Sequence, residues 1–146
     1  MAYQKKIDHV LRCPFEYGLQ IFGGKWNARI LCLLSKQRPM RFREIRGELS
    51  DITDAVLSGA LRELLREGVI RREAFNEVPP RVEYSLTEKG MSILPLLQCI
   101  CQWSESQHIL DEALLLTPCR QCPHRLRAHD YVTNPAGVDA ASPGTV

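Results

Sequence analysis

The feature that most constrains the fold is a change, near Gly68, in the spacing of the apolar residues. Before Gly68 they recur about every 3.6 residues, as on one face of a helix. After it, in the segment 81–86, apolar and polar residues alternate, which is typical of a half-buried strand. The helical stripe consists of Leu57, Leu61, Leu64 and Leu65, and the alternating one of Val82, Tyr84 and Leu86. The sequence therefore predicts helices followed by a β-ribbon.

Three shorter helical patterns precede the leucine stripe. Their predicted ranges are 14–22, 26–35 and about two turns within 42–49. Thr53 is a good N-cap for the fourth helix, and Ile52 lies where it can pack against Leu57. Gly68 is placed to cap the carboxyl end of that helix.

The ribbon and one more helix complete the pattern. The strands are predicted at 69–75 and 81–86, with a protruding loop stiffened by Pro79 and Pro80. Thr87 can cap a long helix from Glu88 to about Leu116, with a kink expected at Pro95. A long apolar helix outside a small core needs a surface to pack against, and a second copy of the chain supplies one. We therefore expect a homodimer.

Length and composition favour one globular domain with flanking segments. The chain has 146 residues, of which 45% are hydrophobic and 25% charged. We divide it into an N-terminal arm (1–12), a folded domain (13–116) and a Cys/His-containing segment with a disordered tail (117–146). No apolar run is long enough to span a membrane, and residues 1–12 lack the apolar core of a secretion signal. We expect no membrane partner, a cytoplasmic location and mostly reduced cysteines.

A short helix, a tight turn, a longer amphipathic helix and a two-stranded ribbon form, in this order, a winged helix-turn-helix. The fold class is therefore mainly α with a small β-hairpin wing, and the terminal helices would form the dimer interface. A helix fits the DNA major groove, so the fourth one can present Ser58 and Arg62 to base edges. The other predicted contacts to double-stranded DNA are Thr53, Asp54 and Ala55 on the same helix, Lys25, Arg41 and Arg43 for phosphates, and Arg81 beside the wing tip.

Other interpretations of the same residues stay open at this stage. The net charge is only +2, although the stretch from Lys36 to Arg46 is locally basic. The exposed side of the fourth helix could merely be solvated, or the winged helix could be a protein-interaction module. We expect no enzyme, because no nucleophile, base and orienting group occur at recognisable spacing and no phosphate-binding glycine loop is present.

Several separated motifs give a family resemblance that runs from about Cys13 to Trp103. The motifs are Cys13-Pro14, Gly23-Gly24-Lys25-Trp26, Arg41-Phe42, Leu61-Arg62-Glu63-Leu64 and the segment from Glu77 to Thr87. In this order and spacing they resemble the HxlR-type winged helix regulators, a branch similar to the MarR group.

The resemblance implies a homodimeric transcription factor that binds a palindromic operator, usually as a repressor. It also implies a response to electrophiles or oxidants through a cysteine before the first helix, which is Cys13 here. Regulators of this kind commonly carry polar or basic side chains early in the recognition helix, where this chain has Asp54 and Ala55. The operator sequence therefore cannot be transferred from relatives.

The residues around Cys13 permit a redox-sensing role. Arg12 and the start of a helix both favour a thiolate there, although an ordinary packed cysteine fits the sequence equally well. Cys32 is expected in the core. Cys99 and Cys101 are two apart on a helix, so they point in different directions and cannot easily share a metal.

The C-terminal segment combines a C-x2-C motif with two histidines. Cys119, Cys122, His124 and His129 have the ligand types and close spacing of a zinc site. No cofactor is required by the rest of the chain, so zinc is a possible addition that would make the protein a metal-responsive regulator. A thiol-pair redox switch, or neither role, is also open. A thiol oxidoreductase is disfavoured, because the motif does not open a helix after a strand.

Overall fold

The structure is a computed structural model, and it describes residues 13–36, 38–107, 113–115, 119 and 122. Within these residues it has five helices and one hairpin. They are α1 (Pro14–Phe22), α2 (Lys25–Leu34), α3 (Phe42–Glu48), α4 (Asp54–Arg66), β1 (Ile70–Phe75), β2 (Arg81–Leu86) and α5 (Glu88–Gln107). The predicted order of elements is confirmed. The chain forms two compact units, which divide at Leu97 within α5.

In the first unit, α1 and α2 are separated by the glycine pair at positions 23 and 24. Pro14 occupies the first turn of α1, where its missing N–H costs nothing. The amide N–H of Gly23 donates to the Leu19 carbonyl (2.8 Å) and closes the helix. Asn27 of α2 is buried, and its side-chain amide donates to the Ile21 carbonyl at 3.0 Å. This bond satisfies a buried polar group and fixes α1 against α2.

Short-range capping sets the ends of α3 and α4. The backbone N–H of Arg41 donates to the Glu44 carboxylate (2.8 Å) at the start of α3. The hydroxyl of Thr53 accepts from the amide of Val56 at 3.3 Å, so the predicted N-cap is confirmed. Gly68 follows α4 with a φ of 70°, a left-handed conformation that glycine adopts without strain.

The hairpin is antiparallel, with Ile70 opposite Leu86 and Phe75 opposite Arg81. Met40 forms an isolated antiparallel β-bridge with Tyr84, through two backbone hydrogen bonds of 2.9 and 2.8 Å. These two bonds tie the chain before α3 to the base of the wing. The loop from Asn76 to Pro80 is exposed.

One hydrophobic core joins the elements of the first unit. The fully buried side chains are Ile30, Leu31, Leu33, Leu34, Met40, Ile45, Leu49, Leu57, Leu61, Leu64 and Val69. They come from α2, α3, α4, the segments between these helices and the segment between α4 and β1. The helix-turn-helix is therefore held by its apolar faces while its other faces stay exposed.

Helix α5 begins as predicted and ends earlier than predicted. The hydroxyl of Thr87 accepts from the amide of Gly90 (3.2 Å) and caps the helix. In the first unit, α5 buries Ile93 and Leu97. The helix ends at Gln107, and residues 113–115 form a turn, so the predicted extension to Leu116 is wrong. Apolar residues recur at 109–110 and 113–116, so the sequence pattern alone does not mark where the helix ends. Pro95 lies inside α5, and the expected kink stays a prediction.

Candidate nucleic-acid interface

Helix α4 has one buried side and one exposed side. Leu57, Leu61 and Leu64 are buried in the core, whereas Asp54, Ala55 and Arg62 are exposed and Ser58 is half-buried. Thirteen residues make α4 about 20 Å long, enough to lie along a DNA groove. The structure therefore brings five of the predicted contacts, Thr53, Asp54, Ala55, Ser58 and Arg62, onto one helix.

Arg62 is held close to Ser58 on this helix. Its Nε donates to the Ser58 carbonyl at 3.3 Å, one turn back along α4. The two terminal nitrogens of the guanidinium have no partner among the described residues. They are the groups with which arginine contacts two acceptors at once. Arg62 is therefore oriented by its own helix and still able to bind an acceptor outside it.

Asp54 does not present a free negative charge. Its carboxylate forms an ion pair with Arg46 of α3, although both side chains remain exposed. Asp54 was predicted as a DNA contact and Arg46 only as part of a basic stretch, so their pairing was not expected from the sequence. The eight-residue separation of the pair spans the turn of the helix-turn-helix, so only the tertiary structure shows it.

The three predicted phosphate contacts lie at or near helix starts and are exposed. Lys25 opens α2, with its ammonium 4.7 Å from the centre of the Trp26 ring. Arg41 precedes α3, and Arg43 lies in its first turn. Neither arginine side chain has an ion-pair partner among the described residues. Both guanidinium groups are therefore able to bind an external anion such as a phosphate.

Glu44 is the acidic residue of this basic stretch. The hydrogen bond from the Arg41 backbone lowers the pKa of its carboxyl, and Arg38, 3.3 Å away, acts in the same direction. Its charge is therefore used to cap α3 and to pair with Arg38, and the surrounding arginines determine the sign of this surface.

Arg81 lies beside the wing tip as predicted, but its charge is already shared. It pairs with Glu77 (3.0 Å) and Glu83 (3.6 Å), and its guanidinium lies 4.0 Å from the centre of the Phe75 ring. These contacts fix the hairpin tip and leave Arg81 half-buried. Its predicted DNA contact remains a prediction, and binding an external phosphate would compete with two carboxylates.

A recess of about 360 Å³ opens between α3, α4 and the hairpin. Its apolar lining comes from Phe42, Leu61, Leu65 and Tyr84, and its polar lining from Ser58, Arg62 and Arg72. Arg72, which is exposed, is not among the contacts predicted from the sequence, because residues 69–75 do not alternate between apolar and polar. Its strand register, which follows from the pairing with β2, is the signal that would have identified it.

The two cysteines of the first unit, Cys13 and Cys32, differ in exposure. Cys13 is exposed, in extended conformation immediately before α1. Cys32 is half-buried and packs against the core, as expected.

In the second unit, Cys99, Cys101 and Cys119 are exposed and Cys122 is half-buried. The Cys122 amide donates to the Cys119 carbonyl at 3.3 Å. Although the Cys101 side chain as a whole is exposed, desolvation raises the pKa of its thiol, and the neighbouring thiols of Cys119 and Cys122 add to the shift. His124 and His129 lie outside the described residues. Within the described ranges no group of three potential ligands is arranged for a metal, so zinc stays a prediction.

None of the helices in the described ranges is long and apolar enough to cross a membrane.

Comparison with protein families gives a match to the HxlR-like helix-turn-helix model over residues 21–112. Curated relatives are named HTH-type transcriptional regulators. An HTH-type transcriptional regulator of Methanothermobacter thermautotrophicus is 46% identical over 98 residues, which are 67% of this chain and 74% of the relative. One from Halalkalibacterium halodurans is 41% identical over 101 residues, 69% of this chain and 89% of the relative.

Solved structures show the same fold. The redox regulator HypR in its oxidized form superposes with a TM-score of 0.62 at 38% identity, covering 67% of this chain and all of HypR. The reduced form of the transcriptional regulator YodB from B. subtilis gives a TM-score of 0.59 at 31% identity, covering 66% of this chain and 94% of YodB.

Proposed function

Because this chain belongs to the HxlR-like helix-turn-helix family of transcriptional regulators, we propose that it binds a palindromic DNA operator as a homodimer and acts as a repressor. In this proposal α4 enters the major groove, where Ser58 and Arg62 meet base edges. Thr53, Asp54 and Ala55 lie at the leading end of α4. Lys25, Arg41 and Arg43 bind phosphates, and Arg81 approaches the DNA from the wing.

The observation that carries the proposal is the two-sided character of α4. Its leucine side is fully buried, and its other side is exposed and ends in a guanidinium with free donors. A helix that served only for packing would not need an oriented arginine on its outer side. The exposed basic groups before and within α3 add the charge that DNA binding requires.

Exposed apolar side chains support the homodimer. In the first unit, Phe15 and Leu19 of α1 and Met91 and Leu96 of α5 are exposed. In the second unit, Ile100 and Trp103 of α5 are exposed as well. Apolar residues repeated along helices at the chain surface mark a protein interface, and a symmetric dimer buries the same patch twice. Sedimentation equilibrium measures the mass in solution directly, and a monomer at working concentrations would contradict the homodimer.

DNA binding is tested first by its salt dependence. Fluorescence anisotropy on the promoter DNA beside the gene should show an affinity that falls as salt rises, with a slope of about −0.9 for each phosphate neutralised. If this DNA does not bind, selection from a random duplex library replaces it. Failure of both, with a folded protein, would favour the interaction-module interpretation.

Arg62 supplies the residue-level test. Arg62→Ala should lower affinity for the operator by roughly tenfold or more and reduce discrimination at one base position. Arg29→Ala is the matched control, because it removes one positive charge from α2, where Arg29 lies against Trp26. An equal loss in both variants would mean that only net charge matters and that Arg62 reads no base.

The proposed function includes control by oxidants through Cys13. The exposure of this thiol supports the proposal, as does the similarity of the chain to a protein described as a redox regulator. Treatment with diamide should release the wild-type protein from its operator, whereas Cys13→Ser should stay bound. Cys32→Ser is the control, since the half-buried Cys32 thiol should not contribute. Release of Cys13→Ser by diamide would assign the response to another cysteine.

A further inference from the structure

The first residues of α5 and the threonine before it cap the carboxyl end of α4. The hydroxyl of Thr87 donates to the Gly68 carbonyl at 2.6 Å, and the Thr87 amide donates to the Val69 carbonyl at 3.1 Å. The ammonium of Lys89 donates to the Glu67 carbonyl at 2.8 Å. Three successive carbonyls at the end of α4 thus find donors at the start of α5. The place of that end therefore depends on α5.

Lys89 differs from the other capping groups because it also reaches α1. Its ammonium donates to the Tyr17 hydroxyl at 2.7 Å and lies 5.4 Å from the centre of the Tyr17 ring. Tyr17 is half-buried and packs against the core, so its hydroxyl is held in place. One ammonium on α5 thus joins α1 to the carboxyl end of α4.

The three helices that meet at Lys89 serve different parts of the proposed function. Helices α1 and α5 carry exposed apolar side chains that the homodimer would bury, among them Leu19 and Met91. Helix α4 carries the reading side, with Ser58 and Arg62. Lys89 is exposed, so water competes for its hydrogen bonds and they add little to stability. Its main effect is on position, because it ties the end of the reading helix to the two helices of the dimer surface.

We propose that Lys89 is a positioning residue for operator recognition, which holds the carboxyl end of α4 in a fixed place relative to α1 and α5. This inference rests on the proposed function. The two reading helices of a homodimer must lie about one DNA turn apart, so a shift of α4 in each subunit changes the half-site spacing that fits. Lys89 acts through α4 and does not itself touch DNA.

Hydrogen exchange of the full chain without DNA tests the contact. Lys89→Met keeps the unbranched stem and removes the ammonium, so amides in residues 63–69 and 14–22 should exchange at least about threefold faster. Lys89→Arg, which can still donate to two acceptors, should restore the wild-type rates. Arg66→Met is the matched control, because it removes a positive charge from the last turn of α4. The Arg66 side chain has no hydrogen bond or ion pair to a described residue, so exchange in residues 14–22 should not change.

Fluorescence anisotropy with two operators tests the positioning. The first is the operator found in the salt titrations, and the second carries one extra base pair between its half-sites, which adds about 3.4 Å and about 35° to their separation. The preference of the wild type for the first operator should fall at least about threefold in Lys89→Met, with an unchanged salt slope, and return in Lys89→Arg. Tyr17→Phe should lower the preference in the same direction, and adding it to Lys89→Met should change nothing further.

Unchanged exchange in Lys89→Met, or equally fast exchange of residues 14–22 in Arg66→Met, would overturn the proposal. An equal loss of affinity for both operators would also overturn it, because a loosened fold alone produces that result. A salt slope lowered by about 0.9 would mean that Lys89 binds a phosphate directly, against the proposal. If exchange changes as expected and no duplex binds, the positioning of α4 by Lys89 stands and the proposed DNA-binding function is contradicted.

Discussion

Arg46 of α3 and Asp54 of α4 form an ion pair across the turn of the helix-turn-helix. Their side chains keep 51% and 69% of their exposure, so the pair contributes about 0–1 kcal/mol to stability. Its main consequence is electrostatic. The negative charge at the first turn of α4 is compensated locally, which lets an acidic residue occupy the end of the helix that we propose to face DNA.

Replacing Asp54 by asparagine should strengthen DNA binding. The change removes a negative charge from the leading turn of α4 and releases Arg46 for a phosphate, which should add roughly one contact to the salt slope. Stability should change by less than about 1 kcal/mol. Salt titrations of operator binding measure the effect, with Glu88→Gln at the start of α5 as the control for net charge. Weaker binding by Asp54→Asn would instead indicate that the carboxylate accepts a hydrogen bond from a base.

The core side of α4 should determine the stability of the fold. Leu57 is fully buried, whereas the adjacent Val56 is 44% exposed. Leu57→Ala should lower the free energy of unfolding by about 2–5 kcal/mol through lost burial and a cavity. Val56→Ala should change it by less than about 1 kcal/mol. Urea denaturation followed by circular dichroism distinguishes the two, and similar losses would mean that α4 does not pack through its leucine side.

The pairing of Glu44 predicts a pH dependence in the acid range. Because its folded-state pKa lies below the ordinary value, ionised Glu44 stabilises the fold above the ordinary pKa. This contribution is lost as the pH falls through the lowered value. Glu44 is exposed, so solvent screening keeps the contribution to a few tenths of a kcal/mol.

The measurement compares wild type with Glu44→Gln, which keeps a side-chain acceptor for the Arg41 amide and removes the charge. Glu44→Gln should be slightly less stable near neutral pH, and the difference from wild type should vanish once the pH falls below the lowered pKa of the Glu44 carboxyl. A stability difference that persists in acid would show that packing, not ionisation, distinguishes the variants.

Local signals in the sequence predicted most of the architecture. The Thr53 cap, the glycine pair between α1 and α2 and the alternation in β2 each act within a few residues. The structure therefore reproduces them with the bounds expected or within one residue of them. The end of α5 was misplaced because apolar residues beyond Gln107 were read as a continuing helix.

The electrostatics of the candidate site could not be predicted in the same way. Arg81 was predicted as a DNA contact beside the wing tip, but Glu77 and Glu83 already pair with it. Asp54 is likewise paired with Arg46. Arg72 was missed because its orientation follows from pairing with Tyr84 on the other strand. Residue type and spacing identify which side chains can bind DNA, whereas the partners that neutralise or expose them arise from tertiary contacts.

Two glycines offer a matched test of backbone packing. A Cβ on Gly90 of α5 would lie 2.0 Å from the carbonyl oxygen of Val69, and that carbonyl also accepts from the Thr87 amide at 3.1 Å. The Val69 backbone cannot move without losing this bond, so Gly90→Ala should cost about 1–3 kcal/mol or more. A Cβ on Gly59 of α4 meets nothing within 4 Å. Gly59→Ala should therefore stabilise the helix by about 0.5–1 kcal/mol.

Thermal and urea unfolding should show opposite changes in the stability of the two variants. Both place alanine inside a helix, so helix propensity favours both equally, and their difference isolates the contact between α5 and the segment before β1. If Gly90→Ala were as stable as Gly59→Ala, α5 would not approach Val69 as closely as described. Retention of DNA binding by Gly90→Ala below its unfolding temperature would further show that this contact supports the fold and not the reading side of α4.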